Sequence, residues 1–158
     1  MVPRLVRGAA AGAAAGAAGT TALDAVTYLD MAWRGRPAST TPERSVEAIA
    51  RRLGRKVPGD GETRQNRLTG LGALSGAVTG VGVGAVLGGL RALGIRPPRP
   101  VGALLIALAT MAATNGSMAR LGVTDLRTWS AGDWLSDLVP HLAFGAVTAA
   151  TLDALDHA

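Results

Sequence analysis

The chain has 158 residues, 48% hydrophobic but only 3% aromatic, with 16 Lys and Arg against 11 Asp and Glu for a formal net charge of +5. That length suits one domain, and the shortage of aromatics beside abundant Ala and Gly argues against a soluble core of large side chains. Cysteine is absent, which excludes disulfides, thiolate metal sites and a cysteine nucleophile.

Four windows are long and nearly free of charge: residues 8–23, 68–90, 101–119 and 138–152. A membrane-crossing helix needs about 20 mainly apolar residues. The second and third windows qualify directly. The first and fourth qualify when extended through Asp24 toward Trp33 and back toward Trp134. The expected architecture is all-α: a single integral membrane domain over residues 1–158, built as a four-helix bundle with short amphipathic interfacial helices. Its spans cover about 8–33, 67–91, 101–120 and 131–154, and a loop over 35–66 joins the first two. The mean hydropathy of +0.27 is low for a multi-pass protein, because alanine and glycine are only weakly apolar.

Residues 1–20 place arginines ahead of an Ala-rich run, as a secretory signal would. The run lacks the Leu and Val density of a signal core and continues as a helical pattern to Trp33, so it is read as span one. Gly8, Gly12 and Gly16 recur every four residues along it. Further on, Thr20, Asp24, Thr27, Tyr28 and Met31 share a face by i+3 and i+4 steps.

The following loop contains TTPERSVEAIARRLG, which predicts a short helix with Thr41 as N-cap, Pro42 at its first position and Gly54 at its end. Val46, Ile49, Ala50 and Leu53 fall on one face. Arg44, Arg51, Arg52 and Arg55 fall mostly elsewhere. Such a helix suits an anionic lipid headgroup surface; the plainer alternative is a solvated helix capping the bundle. Nucleic acid is not an expected partner, because the charge flanks apolar spans and no stacking aromatics are interleaved with it.

In span two, Gly72, Gly76, Gly80, Gly84 and Gly88 recur every four residues. Small residues at this spacing let two helix backbones approach closely in lipid. The two glycine ladders pack spans one and two of the same chain, or one of them faces a second copy or a larger membrane complex. With 22 glycines in the chain, some of the spacing also arises by composition alone. GIRPPRP then forms a stiff turn into span three, which carries Asn115. TDLRTWSAGDWL predicts an interfacial segment, with Ser130 and Asp133 at capping-box spacing. Span four steps Asp133, Asp137 and His141 along one face, and Pro140 removes a backbone donor there. His157 is read as a tail residue.

Arginine and lysine set the orientation. Eleven lie in the 35–66 region and its flanks or between spans three and four, against five on the opposite side. The positive-inside rule puts the eleven in the cytoplasm, so both termini face outward. Trp33, Trp129 and Trp134 all fall at that cytoplasmic interface. The expected location is the bacterial inner membrane.

Asp24 then lies nine residues inside Trp33, about 13 Å deep, and His141 seven residues inside Trp134, about 10 Å deep. Ionisable groups inside spans are costly and mark candidate sites. Asp24, Tyr28, Asn115, Asp137 and His141 are the candidate lining of a cytoplasm-facing polar vestibule. The structural alternatives are an Asp24–His141 pair between spans one and four, an Asp30–Arg34 surface pair, and Asp133 as a helix cap. One buried histidine and a few carboxylates do not make a recognisable metal site. No P-loop, Rossmann fingerprint or GxSxG is present, so neither an enzyme nor a cofactor is expected.

GTTALDAVTYLDMAWRGRPAST and DWLSDLVPHLAFGAVTAATLDAL together resemble small multi-pass bacterial membrane proteins of uncharacterised function. The resemblance implies a membrane protein and carries over no activity or site residue. Two functions follow from the residues: an accessory or scaffold subunit assembled through glycine-mediated helix packing, or a small channel or transporter for protons or small cations.

Overall fold

The computed structural model describes residues 2–156; His157 lies outside them. The described residues are all-helical. Five α-helices are present: α1 Val2–Arg34, α2 Thr41–Arg52, α3 Gly61–Ala92, α4 Arg99–Arg120 and α5 Ala131–Asp156. A short 3₁₀ turn, Leu126–Thr128, precedes α5. Three helices, α3, α4 and α5, are long and apolar enough to cross a membrane.

The charge-bounded windows set the helix cores, but two ends run on. α3 starts at Gly61 rather than near 67, adding polar turns below the apolar run, and α1 continues back past Arg7 and Arg4 to Val2. Three helices stop by one device, a Leu-Gly pair. Gly54, Gly94 and Gly122 adopt φ values of +66°, +95° and +70°. Each glycine N–H bonds the carbonyl three residues back, at Arg51, Arg91 and Ala119, and the next residue's N–H bonds the carbonyl five back. This is the Schellman closure, which needs a residue free to take positive φ. α2 begins one residue earlier in capping terms than expected: Thr40 is the N-cap, without a side-chain cap bond. At α5 the predicted box forms. Asp133 Oδ2 accepts from Ser130 N–H at 2.8 Å, and Asp133 N–H donates to Ser130 Oγ at 3.2 Å.

The four long helices run antiparallel and pack as neighbours in the order α3, α1, α5, α4, with α2 on α3. α3 and α4 are the outermost pair and do not pack extensively on each other. Burial follows this order: 17% of the apolar window is buried in α3, 33% in α4 and 39% in α5. The core joins Ile106, Phe144 and Ala149, with Leu23, Val83, Leu87 and Ala103 against it.

α1 meets α3 backbone to backbone. A Cβ added at Gly8, Gly12 or Gly16 would lie closer than 3.0 Å to the carbonyl oxygen of Gly88, Gly84 or Gly80, and side chains on Gly84 and Gly88 would meet α1 backbone in return. The lower end of the α3 series behaves differently. Gly72 faces Pro42 and Glu43 of α2, not α1, and a side chain on Gly76 would meet nothing within 4 Å. The close approach therefore ends where Thr20 meets Gly80. Beyond it, α2 occupies the ladder face of α3 in place of α1. On the other side of α1, Gly19 seats Thr148 and Phe144; between α5 and α4, Gly145 seats Ala103 and Ala107.

Candidate functional site

The antiparallel packing collects Trp33, α2, the start of α3, the end of α4 and the start of α5 at one end of the molecule. Arg34 bridges α1 to α5 there, donating to Asp30 at 2.7 Å and to Ser136 Oγ at 2.8 Å. Arg36 also pairs with Asp30, at 2.6 Å. The Asp30–Arg34 contact expected at i+4 is thus part of a three-residue surface group.

Three of the five candidate vestibule residues come together between α4 and α5. Asn115 is 3% exposed and His141 8% exposed. Asn115 Nδ2 donates to Asp137 Oδ2 at 2.7 Å. His141 Nδ1 lies 2.8 Å from the Asp137 carbonyl oxygen and 3.5 Å from its carboxylate. A carbonyl only accepts, so Nδ1 carries a proton, which leaves Nε2 as the ring's acceptor in the neutral form. α5 supplies two of the residues one turn apart and runs through the buried Pro140 without a break. Asn115 Oδ1 and the hydroxyls of Thr110 and Thr148 are buried without a hydrogen-bond partner.

The other two candidates do not join this group. Tyr28 is 62% exposed and points away from the helix packing. It lies two turns beyond Thr20, past the point where α3 leaves α1, so the face it shares with Asp24 has no neighbour to cover it there. Asp24 is half-buried and makes no hydrogen bond or ion pair among the described residues. His141 is held by Asp137, and no Asp24–His141 pair forms. The register that sets Gly19 against Thr148 nevertheless leaves Asp24 at roughly the depth of His141. Among the described residues, no group of three or more His, Asp or Glu side chains is placed to hold a metal ion.

At the α2 end, Ala48 is the buried residue of α2, while Ile49 is 46% and Leu53 69% exposed. The apolar stripe read from Val46, Ile49, Ala50 and Leu53 therefore does not pack wholly inward. Pro42 and Glu43 seat α2 on Gly72, and Arg64 of α3 pairs with Glu47. Arg52 donates to the carbonyl oxygen of Arg120, the last residue of α4. α2 thus reaches from α3 to α4, the two outermost helices. Arg44, Arg51 and Arg55 have no acidic partner among the described residues. The 3₁₀ turn is fixed by Asp125, which accepts from the backbone N–H of Arg127 and pairs with its guanidinium at 3.0 Å. These bonds hold the Asp125 carboxyl below the usual carboxylate range, with the Arg127 side chain the larger cause. Trp129 Nε1 donates to Thr124 Oγ1 at 3.0 Å and its ring packs edge-on against Trp134, with centroids 4.9 Å apart.

The opposite end carries its own charge network. Arg91 reaches both Asp153, at 2.7 Å, and Asp156, at 2.6 Å; Arg96 joins Asp156 and Arg99 joins Asp153. The turn between α3 and α4 is thereby tied to the last turns of α5. Sequence spacing had pointed to neither this network nor the α2–α4 link, since both depend on which helix ends meet. No family model, curated protein or solved structure matches the chain.

Proposed function

We propose that this is a four-span protein of the bacterial inner membrane, with α1 as the additional span, that serves as an accessory or scaffold subunit. Both termini face outward and the α2 end faces the cytoplasm. The observation that carries the reading is the grouping of the buried polar side chains: Asn115 donates to the Asp137 carboxylate and His141 bonds the Asp137 carbonyl in one local group between two helices, while Asp24 and Tyr28 lie apart from it. Close glycine contacts meanwhile lock α1 to α3. The surfaces left for another subunit or a second copy are the outer faces of α3 and α4.

The charge arrangement supports the orientation. Arg91, Arg96 and Arg99 are matched by Asp153 and Asp156 at one end, whereas Arg44, Arg51 and Arg55 stand uncompensated at the other. Exposed Ile49 and Leu53 beside those arginines suit an anionic headgroup layer better than bulk water. α1 carries less apolar surface than a lone span needs, and its position between α3 and α5 compensates for this.

One observation favours the second reading, a carrier or channel for protons or small cations: Asp24, without a partner, sits just past the last close α1–α3 contact. Reconstitution into vesicles containing a pH- or potassium-sensitive dye separates the two. As a scaffold the protein passes no more ion than empty vesicles, and cross-linking in native membranes finds it joined to another chain. Ion flux that disappears in Asp24→Asn replaces the scaffold with a carrier.

A further inference from the structure

An open depression lies away from the buried polar group, where α2 crosses toward α4. Arg44 forms one side and residues 119 and 122–127 the other, bordering an open hollow of about 680 Å³. A smaller recess of about 80 Å³ continues it between Arg44, Glu47, Arg51, Gly122 and Val123. Buried Val123 forms part of the lining of both. The shape exists because α2 is pinned at both ends, to Gly72 of α3 and to the Arg120 carbonyl of α4, and arches over the Leu-Gly closure of α4 between them.

Its unpaired charge is positive. Five charged side chains line the two recesses: Arg44, Arg51, Arg127, Asp125 and Glu47. Both acids are already engaged, Asp125 by Arg127 and Glu47 by Arg64. Arg44 and Arg51 remain without a counter-charge. They lie seven residues apart, two turns along one face of α2; both line the smaller recess, and Arg44 also lines the larger hollow. A guanidinium presents a fixed fork of donors that matches phosphate oxygens, and two in one recess attract an anion that can span them.

We propose that this hollow is a binding site for a phosphate ester, held by Arg44 and Arg51 with Arg127 at its far wall. An ester of a glycerophospholipid headgroup and a soluble phosphate ester share this chemistry. Val123 and Leu126 add apolar lining, which suits a headgroup entering from the bilayer edge. The inference rests on the hollow and its charges and is independent of the scaffold reading.

The test is native mass spectrometry of delipidated protein in neutral detergent, titrated with phosphatidylglycerol and, separately, phosphatidylcholine. The expected result is one retained phosphatidylglycerol with at least a tenfold preference over phosphatidylcholine. The double variant Arg44→Gln/Arg51→Gln loses that preference. Arg55→Gln, on the same loop but outside the hollow, keeps it. Displacement of the lipid by millimolar glycerol phosphate or inorganic phosphate assigns the site to soluble esters instead, with the same residues holding them. Equal losses in Arg55→Gln and the double variant mean diffuse surface attraction and overturn the site, as does the absence of any preference in the unaltered protein. Circular dichroism of each variant establishes that it is folded.

Discussion

A single methyl group measures how tightly α1 and α3 are joined. In Gly84→Ala the new Cβ would sit 2.6 Å from Gly16 Cα and 2.7 Å from Gly16 N. Ordinary van der Waals contact starts at 3.4 Å, so the methyl is about 0.8 Å too close (3.4 less 2.6). These two atoms and the Gly12 carbonyl oxygen, which lies nearer still, are all backbone, and no rotamer change relieves them; α1 must move. Gly76→Ala makes the same chemical change on the same helix, but its methyl meets nothing within 4 Å. Both variants gain alanine's helix preference, so their difference isolates the clash. Overpacking of this kind costs about 1–3 kcal/mol. The assay is equilibrium denaturation by SDS in mixed micelles, followed by tryptophan fluorescence. Gly84→Ala should unfold at clearly lower SDS than Gly76→Ala, by a free-energy difference in that range. Equal stability would refute the backbone contact, and with it the register of α1 on α3.

Two further outcomes are expected. Asn115→Leu removes a buried partner from Asp137 and should destabilise the protein by about 0.6–1.7 kcal/mol in the same titration; a stabilised variant would show that the α4–α5 hydrogen bond contributes nothing. Asp125 has a folded pKa below its unfolded value, so its pairing with Arg127 is fully present above about pH 3.9 and is lost as pH falls through the lower folded value. The carboxyl carbon shift of Asp125, followed by NMR, should titrate below pH 3.9 and return toward it in Arg127→Gln; coincident midpoints would dismiss the pairing.

The helices were legible because charged residues bracket each apolar window, and the α5 cap because Ser130 and Asp133 sit three residues apart. The ladder spacing pointed to a close face on α1 and on α3, yet it could not say where that face ends. Past Gly80 the face lies open at Gly76 and then meets Pro42, a residue thirty positions before Gly72, and such a change of neighbour leaves no local periodicity. Tyr28 was misplaced for the same reason: i+4 spacing relates it to Asp24 but does not reveal that α3 has already turned away. Asn115, Asp137 and His141 were selected by depth and type, and depth is what antiparallel neighbours share. The Leu-Gly closures were readable at all three sites, although only Gly54 was used. The basic hollow was not readable, since it exists only because α2 is fastened to two helices far apart in the chain.

The central position of α1 has a consequence for biogenesis. α1 precedes in the chain the surfaces that hold it: the glycine face of α3 follows by about 60 to 80 residues and the Phe144–Thr148 face of α5 by about 130. Without those surfaces it offers the insertion machinery an alanine-rich segment that partitions weakly into lipid and carries a carboxylate at Asp24. In the four-span reading proposed above, α1 is held as a span only once α3 has closed against it. Mutations in the α3 glycines should then be felt first as a defect in the topology of the N-terminus.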